Sequence, residues 1–212
     1  YQSSQIRIGM LGKVKVILQE RINRKNRSKL TNLSPSLVCS NCTGGFLYHW
    51  LGLRFYSPFI NLYMTNEDFL TALENWDLFI HSEIKEVKNS GFDYPVGEGL
   101  LGVKIHFVHY KAFADSLAKW KERCERLNAD NMAVMLTNWG GDVSVLERFD
   151  KLPFKNKVAF VDKIYPQFKS TCYLSGFSKV KGVKNIYATQ YLDGRRYIDQ
   201  FDYVSFINQL NK

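Results

Sequence analysis

From residue 36 onward, short apolar runs alternate with segments of helical periodicity, and this alternation restricts the chain to a small set of architectures. The runs Leu37–Ser40, Phe59–Met64, Val103–Val108, Met132–Leu136, Lys157–Val161 and Asn185–Ala188 read as strands. The prediction is therefore a single three-layer α/β/α domain over residues 36–212, built on a largely parallel or mixed central sheet. With 212 residues, 45% of them hydrophobic and 15% aromatic, the chain can fill one such core.

Helices are expected between these runs. Thr65-Asn66-Glu67-Asp68 has the capping-box pattern, and the apolar residues after it, Phe69, Leu70, Leu73 and Trp76, fall on one helical face. In 111–128, Phe113, Leu117, Trp120, Cys124 and Leu127 recur at intervals that favour a core role for Trp120 and Cys124 over a catalytic one. Arg123 and Arg126 lie beside that stripe. Residues 145–155 and 162–183 are expected as turns and short helices, and 199–210 as a closing helix.

The formal charge of +9 is unevenly distributed. Residues 1–30 hold eight Lys or Arg against Glu20 alone, a net +7, so the rest of the chain is close to neutral. Within 10–25, Met10, Val14, Ile17, Leu18 and Ile22 recur at helical spacing among basic residues. Residues 1–35 are thus expected to be a basic amphipathic leader helix followed by an Asn-, Ser- and Pro-containing linker. Such a helix suits either an anionic membrane surface or packing on the domain. A near-neutral body argues against nucleic acid as partner. No apolar stretch reaches the roughly 20 residues of a membrane span, and a cytoplasmic protein, with peripheral contact at the inner membrane face through 10–25, is the expectation.

In open α/β sheets, ligands bind beyond the carboxyl ends of the strands. The groups that follow the predicted strands are Asn41 and Cys42, then His109, then Asn138, Gly140, Gly141 and Asp142, then Asp162. The sharpest junction is Ser40-Asn41-Cys42-Thr43-Gly44-Gly45, where a strand hands over to a helix. Backbone N–H groups at Thr43 and the two glycines favour an anion, and Asn41 can cap the helix or orient a substrate hydroxyl. A thiol at a helix start is expected to have a lowered pKa, which makes Cys42 a candidate nucleophile; the competing reading is a small buried hydrophobe.

His106 and His109 are candidate bases, but three residues apart in a strand they face opposite sides. Asp142 and Asp162 each suit either a site carboxylate or a helix cap. Cys39-Ser40-Asn41-Cys42 is formally C-x-x-C, yet Cys124 and Cys172 stand alone, so reduced thiols are expected, with neither a metal site nor a cofactor. The chain has no G-x-S-x-G, no Walker loop and no G-x-G-x-x-G.

Four ordered phrases carry a family likeness: SNCTGG with YHWLGLRFYSPFINLYM, IHFVHYK, KWKERCERLNADN, and FDKLPFKNKVAF. They resemble the bacterial domain-of-unknown-function family nineteen-nineteen, whose members are often labelled exopolysaccharide-biosynthesis proteins. The resemblance implies a compact α/β fold and an association with surface-polysaccharide loci, and it supplies no catalytic residue. It points to Asn41, Cys42, Gly44, Gly45, Ser57, His106, His109, Tyr110, Trp120, Arg123, Asn128 and Asn131.

The resulting expectation is a transferase that moves a glycosyl, acyl or phosphoryl-linked group from an activated donor onto a saccharide hydroxyl. His109, His106, Cys42 and Asp162 are the expected catalytic groups. Asn41, Thr43, Gly44, Gly45, Ser57, Tyr110, Arg123, Asn131, Asn138 and Asp142 are the expected binding groups. The alternative is a non-catalytic glycan- or nucleotide-binding accessory protein of polysaccharide assembly.

Overall fold

The computed structural model describes residues 2–138, 141–177, 185–188 and 191–211, with side chains from residue 12 onward. Its centre is a parallel four-stranded sheet in the order β1 (Ser36–Cys39), β5 (Met132–Thr137), β6 (Lys157–Val161), β7 (Thr171–Tyr173). A three-stranded antiparallel sheet, β2 (Lys85–Glu86), β3 (Val96–Glu98) and β4 (Lys104–His106), forms a separate unit inside the long β1–β5 connection. The protein is therefore an α/β fold, with the sheet between two apolar layers.

Strand pleating explains those layers, because successive side chains point to opposite faces. Met132, Val134 and Leu136 of β5, with Ala159 and Val161 of β6, enter one core. That core is closed by α3 (Asn66–Glu74), α4 (Trp76–Ile80), α5 (Phe113–Cys124), α6 (Val143–Lys151) and the small sheet. Leu37, Cys39, Ala133, Met135, Val158 and Phe160 face the other core, with α2 (Thr43–Leu51) and α7 (Tyr203–Asn208) over them.

Local chemistry sets the ends of the helices that matter for the site. Thr65 caps α3 by accepting from the Asp68 N–H at 3.1 Å, as the capping-box pattern predicts. Helix α2 stops at Gly52, whose φ of 67° is left-handed, so its N–H can turn back to the Tyr48 and His49 carbonyls. The Tyr48 hydroxyl, buried under α2, accepts from the Leu37 N–H at 2.9 Å and donates to the Pro35 carbonyl at 2.6 Å, fixing where β1 begins.

Three strand expectations are corrected. Phe59–Met64 is no strand; its one bridge joins Tyr63 to His106, and Phe59, Ile60, Leu62 and Met64 are buried as a connecting segment. Val103–Val108 shortens to β4 and pairs antiparallel with β3, outside the parallel sheet. Asn185–Ala188 is a turn, and the fourth parallel strand is β7 instead, within the stretch expected as turns and short helices. Burial gives an apolar run whether or not the backbone pairs, as Phe59, Ile60, Leu62 and Met64 show.

The basic leader is one helix, α1 (Gln2–Arg27), longer than its apolar pattern. Its second half packs on the domain: Asn23 accepts from Arg196 at 2.9 Å, and Arg27 donates to the Trp50 carbonyl at 2.8 Å. The segment expected as a linker is pinned as well. Thr31 and Asn32 N–H groups donate to Asn208, and Asn32 is buried. None of the described helices is long and apolar enough to cross a membrane.

Candidate functional site: a thiol–imidazole pair at the sheet rim

Parallel strands bring their carboxyl ends to one edge, and two of the predicted groups meet there. Cys42 is the residue before α2, and its Sγ lies 3.4 Å from His109 Nε2 and 3.8 Å from the Leu62 carbonyl. Position 109 falls in a tight turn closed by the Tyr110 N–H to the Phe107 carbonyl, which ends the run after β4 and exposes the imidazole. The turn resolves the spacing problem of the two histidines: His109 reaches Cys42, while His106, still in the strand, points elsewhere.

Asn41 is buried, and its Oδ1 accepts from the Thr43 N–H at 2.9 Å and from the Thr43 hydroxyl at 2.6 Å. Asn41 and Thr43 therefore shape the turn that presents Cys42, which itself occupies the cap position of α2 with no side-chain cap bond. Gly44 is required by packing, because a Cβ there would lie 2.9 Å from Cys39 Sγ. Gly45 is under no such pressure; its nearest neighbours would be 3.7 Å and 3.8 Å away.

The expectation of a lowered Cys42 pKa is overturned. Burial pushes the thiol up, and its own backbone N–H offsets only part of that. A helix start gives a small electrostatic benefit, which loses to desolvation here. The Cys42 sulfur is thus held as a thiol, with a His109 ring nitrogen in reach of it. Tyr187, which the sequence reading did not single out, belongs to the same neighbourhood. Its ring stacks on Phe46 of α2 at 4.3 Å, and burial, with Cys42 adding, pushes its hydroxyl up to about 12.

Beside the pair lies a cleft of about 190 Å³ lined by Ser40, Asn41, Tyr63, Thr65, Asn66 and Thr137 among others. It is where the ends of β1 and β5 meet the start of α3. Asn138 is buried at its back, accepting from Asn66 Nδ2 at 3.1 Å, and Gly141 packs so close that a Cβ would collide with Asn138 Oδ1. Gly140 lies outside the described residues. The capping-box motif that marks α3 in the sequence was the available signal for the Thr65–Asn66 side of this cleft.

Other expected site residues have structural duties. Asp142 caps α6, accepting from the Ser144 N–H at 3.2 Å. Asp162 follows β6 at the same edge, half-buried, and among the described residues no hydrogen bond or ion pair ties it to Cys42 or His109. Ser57 is fully buried and its hydroxyl accepts from the Phe59 N–H. Tyr110 accepts from Arg123 at 3.0 Å, and the buried Arg123 also sits over the Phe55 ring at 5.2 Å. Asn131 lies at the opposite, amino end of β5, in a reciprocal amide pair with Asn32 at 2.6 Å and 3.0 Å. Among the described residues no three His, Cys, Asp or Glu side chains gather to hold a metal.

The sequence profile of a domain of unknown function, DUF1919, matches residues 13–208. The chain belongs to the DUF1919 family. Its match begins inside α1, so the packed half of that helix and the pinned segment after it fall within the DUF1919 region. An uncharacterized protein of Haemophilus influenzae (strain Rd) is 41% identical over 188 residues, covering 88% of this chain and 90% of the relative.

Proposed function

We propose that this protein is a transferase of bacterial surface or exopolysaccharide biosynthesis that moves an acyl group onto a saccharide hydroxyl through a Cys42 thioester. The observation that carries the reading is the 3.4 Å contact between Cys42 Sγ and His109 Nε2 at the rim of a parallel sheet. A thiol with an imidazole in reach is the arrangement of covalent acyl transfer, and it favours an acyl over a glycosyl or phosphoryl group. The polysaccharide setting rests on the family resemblance carried by the motif phrases.

In this mechanism His109 takes the Cys42 proton as sulfur attacks the carbonyl carbon of an activated acyl donor. The donor's leaving group departs with that proton, and the acyl group remains on sulfur. The acceptor hydroxyl then attacks the thioester, gives its proton to His109, and the carbon–sulfur bond breaks; the thiolate recovers its proton from the imidazolium.

Incubation with acetyl-coenzyme A followed by intact-protein mass spectrometry tests the first half-reaction. Acylation of wild type and its loss in Cys42→Ser, with strong slowing in His109→Ala, is the expected pattern. An unmodified wild-type protein in the presence of several acyl donors would refute it and favour the accessory binding role.

The outer half of α1 adds a proposed location. Val14, Val16 and Ile17 are 47%, 64% and 55% exposed, with Lys13, Lys15 and Arg21 around them. That combination suits the anionic inner face of a membrane, where lipid-linked glycans are assembled.

A further inference from the structure

We propose that Phe92 and Tyr94 form a stacking platform for an uncharged saccharide ring, and that it is the acceptor subsite of the Cys42 centre; the second half of this statement rests on the transferase reading. Both residues lie on the loop between β2 and β3. Their rings stack at 5.0 Å with an interplanar angle of 16°, and Phe92 is 52% exposed. An aromatic side chain half in water contributes little to a core, so a stacked pair held there is the kind of surface that recognises a ligand.

The pair is braced from below. His106 meets Phe92 edge-on, with centroids 5.0 Å apart, and its Nδ1 lies 3.4 Å from the Tyr94 hydroxyl. Backbone bonds between His106 and Tyr63, each 2.9 Å, tie this unit to the segment that also passes Cys42. That segment joins the two places: the Leu62 carbonyl faces Cys42 Sγ, and the next residue, Tyr63, lines the rim cleft and lies 5.6 Å from the His106 ring. A ligand resting on Phe92 and Tyr94 and reaching over Tyr63 would thus approach the thiol.

The chemical class follows from what surrounds the platform. A cavity of about 570 Å³ opens beside it, within the size range of small-molecule sites. Its charged lining is balanced, Glu86 and Asp93 against Lys88 and Lys111, with Asn89 and Ser90 between them. Balanced charge with hydroxyl and amide groups suits the hydroxyls of a neutral sugar, whose C–H face packs on aromatic rings. A nucleotide would also stack, but its phosphates call for an excess of cations that this lining does not supply.

Saturation-transfer NMR on the full chain, with maltopentaose and chitopentaose as probes and adenosine monophosphate as competitor, tests the platform. Expected is transfer to ring protons of at least one sugar, unaffected by the nucleotide and weakened on the order of tenfold by Phe92→Ala or Tyr94→Ala. Phe92→Leu, which keeps the volume and removes the ring, should behave like Phe92→Ala and guards against misfolding as the cause. Absence of binding by both sugars, equal binding by the variants, or displacement by the nucleotide would overturn the proposal. Acylation of Cys42 is read separately, on the wild-type chain: a failed thioester with intact sugar binding refutes the transferase reading alone.

Discussion

Adjacent glycines at the start of α2 should respond to alanine with opposite signs. Alanine in a helix is favoured over glycine by up to about 1 kcal/mol, and somewhat less in a first turn. At Gly45 the new methyl would meet Ile60 Cγ2 at 3.7 Å and Asn61 Oδ1 at 3.8 Å, which are ordinary contacts, so Gly45→Ala should gain most of that propensity. At Gly44 the methyl would lie 2.9 Å from Cys39 Sγ and 3.4 Å from Cys39 Cβ. Cys39 is buried on β1 beneath α2, so sulfur cannot swing into water. Overpacking of this kind costs typically 1–3 kcal/mol, leaving Gly44→Ala net destabilised by roughly 0–2 kcal/mol once the propensity gain is subtracted. Urea denaturation of both variants, together with Cys39→Ala and the Cys39→Ala/Gly44→Ala double variant, separates the terms. A favourable coupling in the double variant should identify the sulfur contact as the cause. Because Cys42 precedes the same helix, any outward shift of α2 should also slow Cys42 chemistry in Gly44→Ala. If Gly44→Ala is stabilised as much as Gly45→Ala, with no coupling to Cys39, the tight seating of α2 on β1 is wrong.

Cys42 is held above the ordinary thiol value of 9.0 by burial, so the pH profile of its alkylation by iodoacetamide should have its midpoint above that value; a midpoint below neutrality would show a preformed thiolate–imidazolium pair. Burial lowers the His106 pKa below the ordinary 6.5, so the folded state binds fewer protons than the unfolded state. Stability should be fully present above pH 6.5 and be lost as pH falls from there through the lowered folded-state value, and His106→Phe should flatten this slope in urea titrations between pH 5 and 7 if the histidine is its source. Asn131→Ala removes one half of a buried amide pair and should cost on the order of 1–3 kcal/mol in denaturation while leaving Cys42 acylation unchanged; a selective loss of acylation at full stability would return Asn131 to the site.

Much of the candidate site was legible because its chemistry is encoded in short stretches. The junction Ser40–Gly45 follows β1 directly and holds a turn and a helix start in six consecutive residues, and the structure keeps both. Thr65 and the helix it caps were equally readable, since a cap depends on four neighbouring residues. The helical repeat that assigned Trp120 to the core also held, because a period of 3.6 survives any tertiary arrangement that buries one face.

What the sequence left open depends on contacts between distant residues. Whether an apolar run pairs as a strand is decided by its neighbour, so Phe59–Met64 and β7 exchanged the roles expected of them. The two histidines are equivalent by composition; the turn at Val108–His109 separates them, sending one to Cys42 and leaving the other under an aromatic pair. Arg123 and Asn131 carry polar groups fit for a ligand, and only the fold shows them spent on Tyr110 and Asn32. The Cys42 thiol makes the same point in its electrostatics. The sequence determined its position at a helix start, which favours the anion, whereas tertiary burial decided its desolvation, and desolvation is the larger effect.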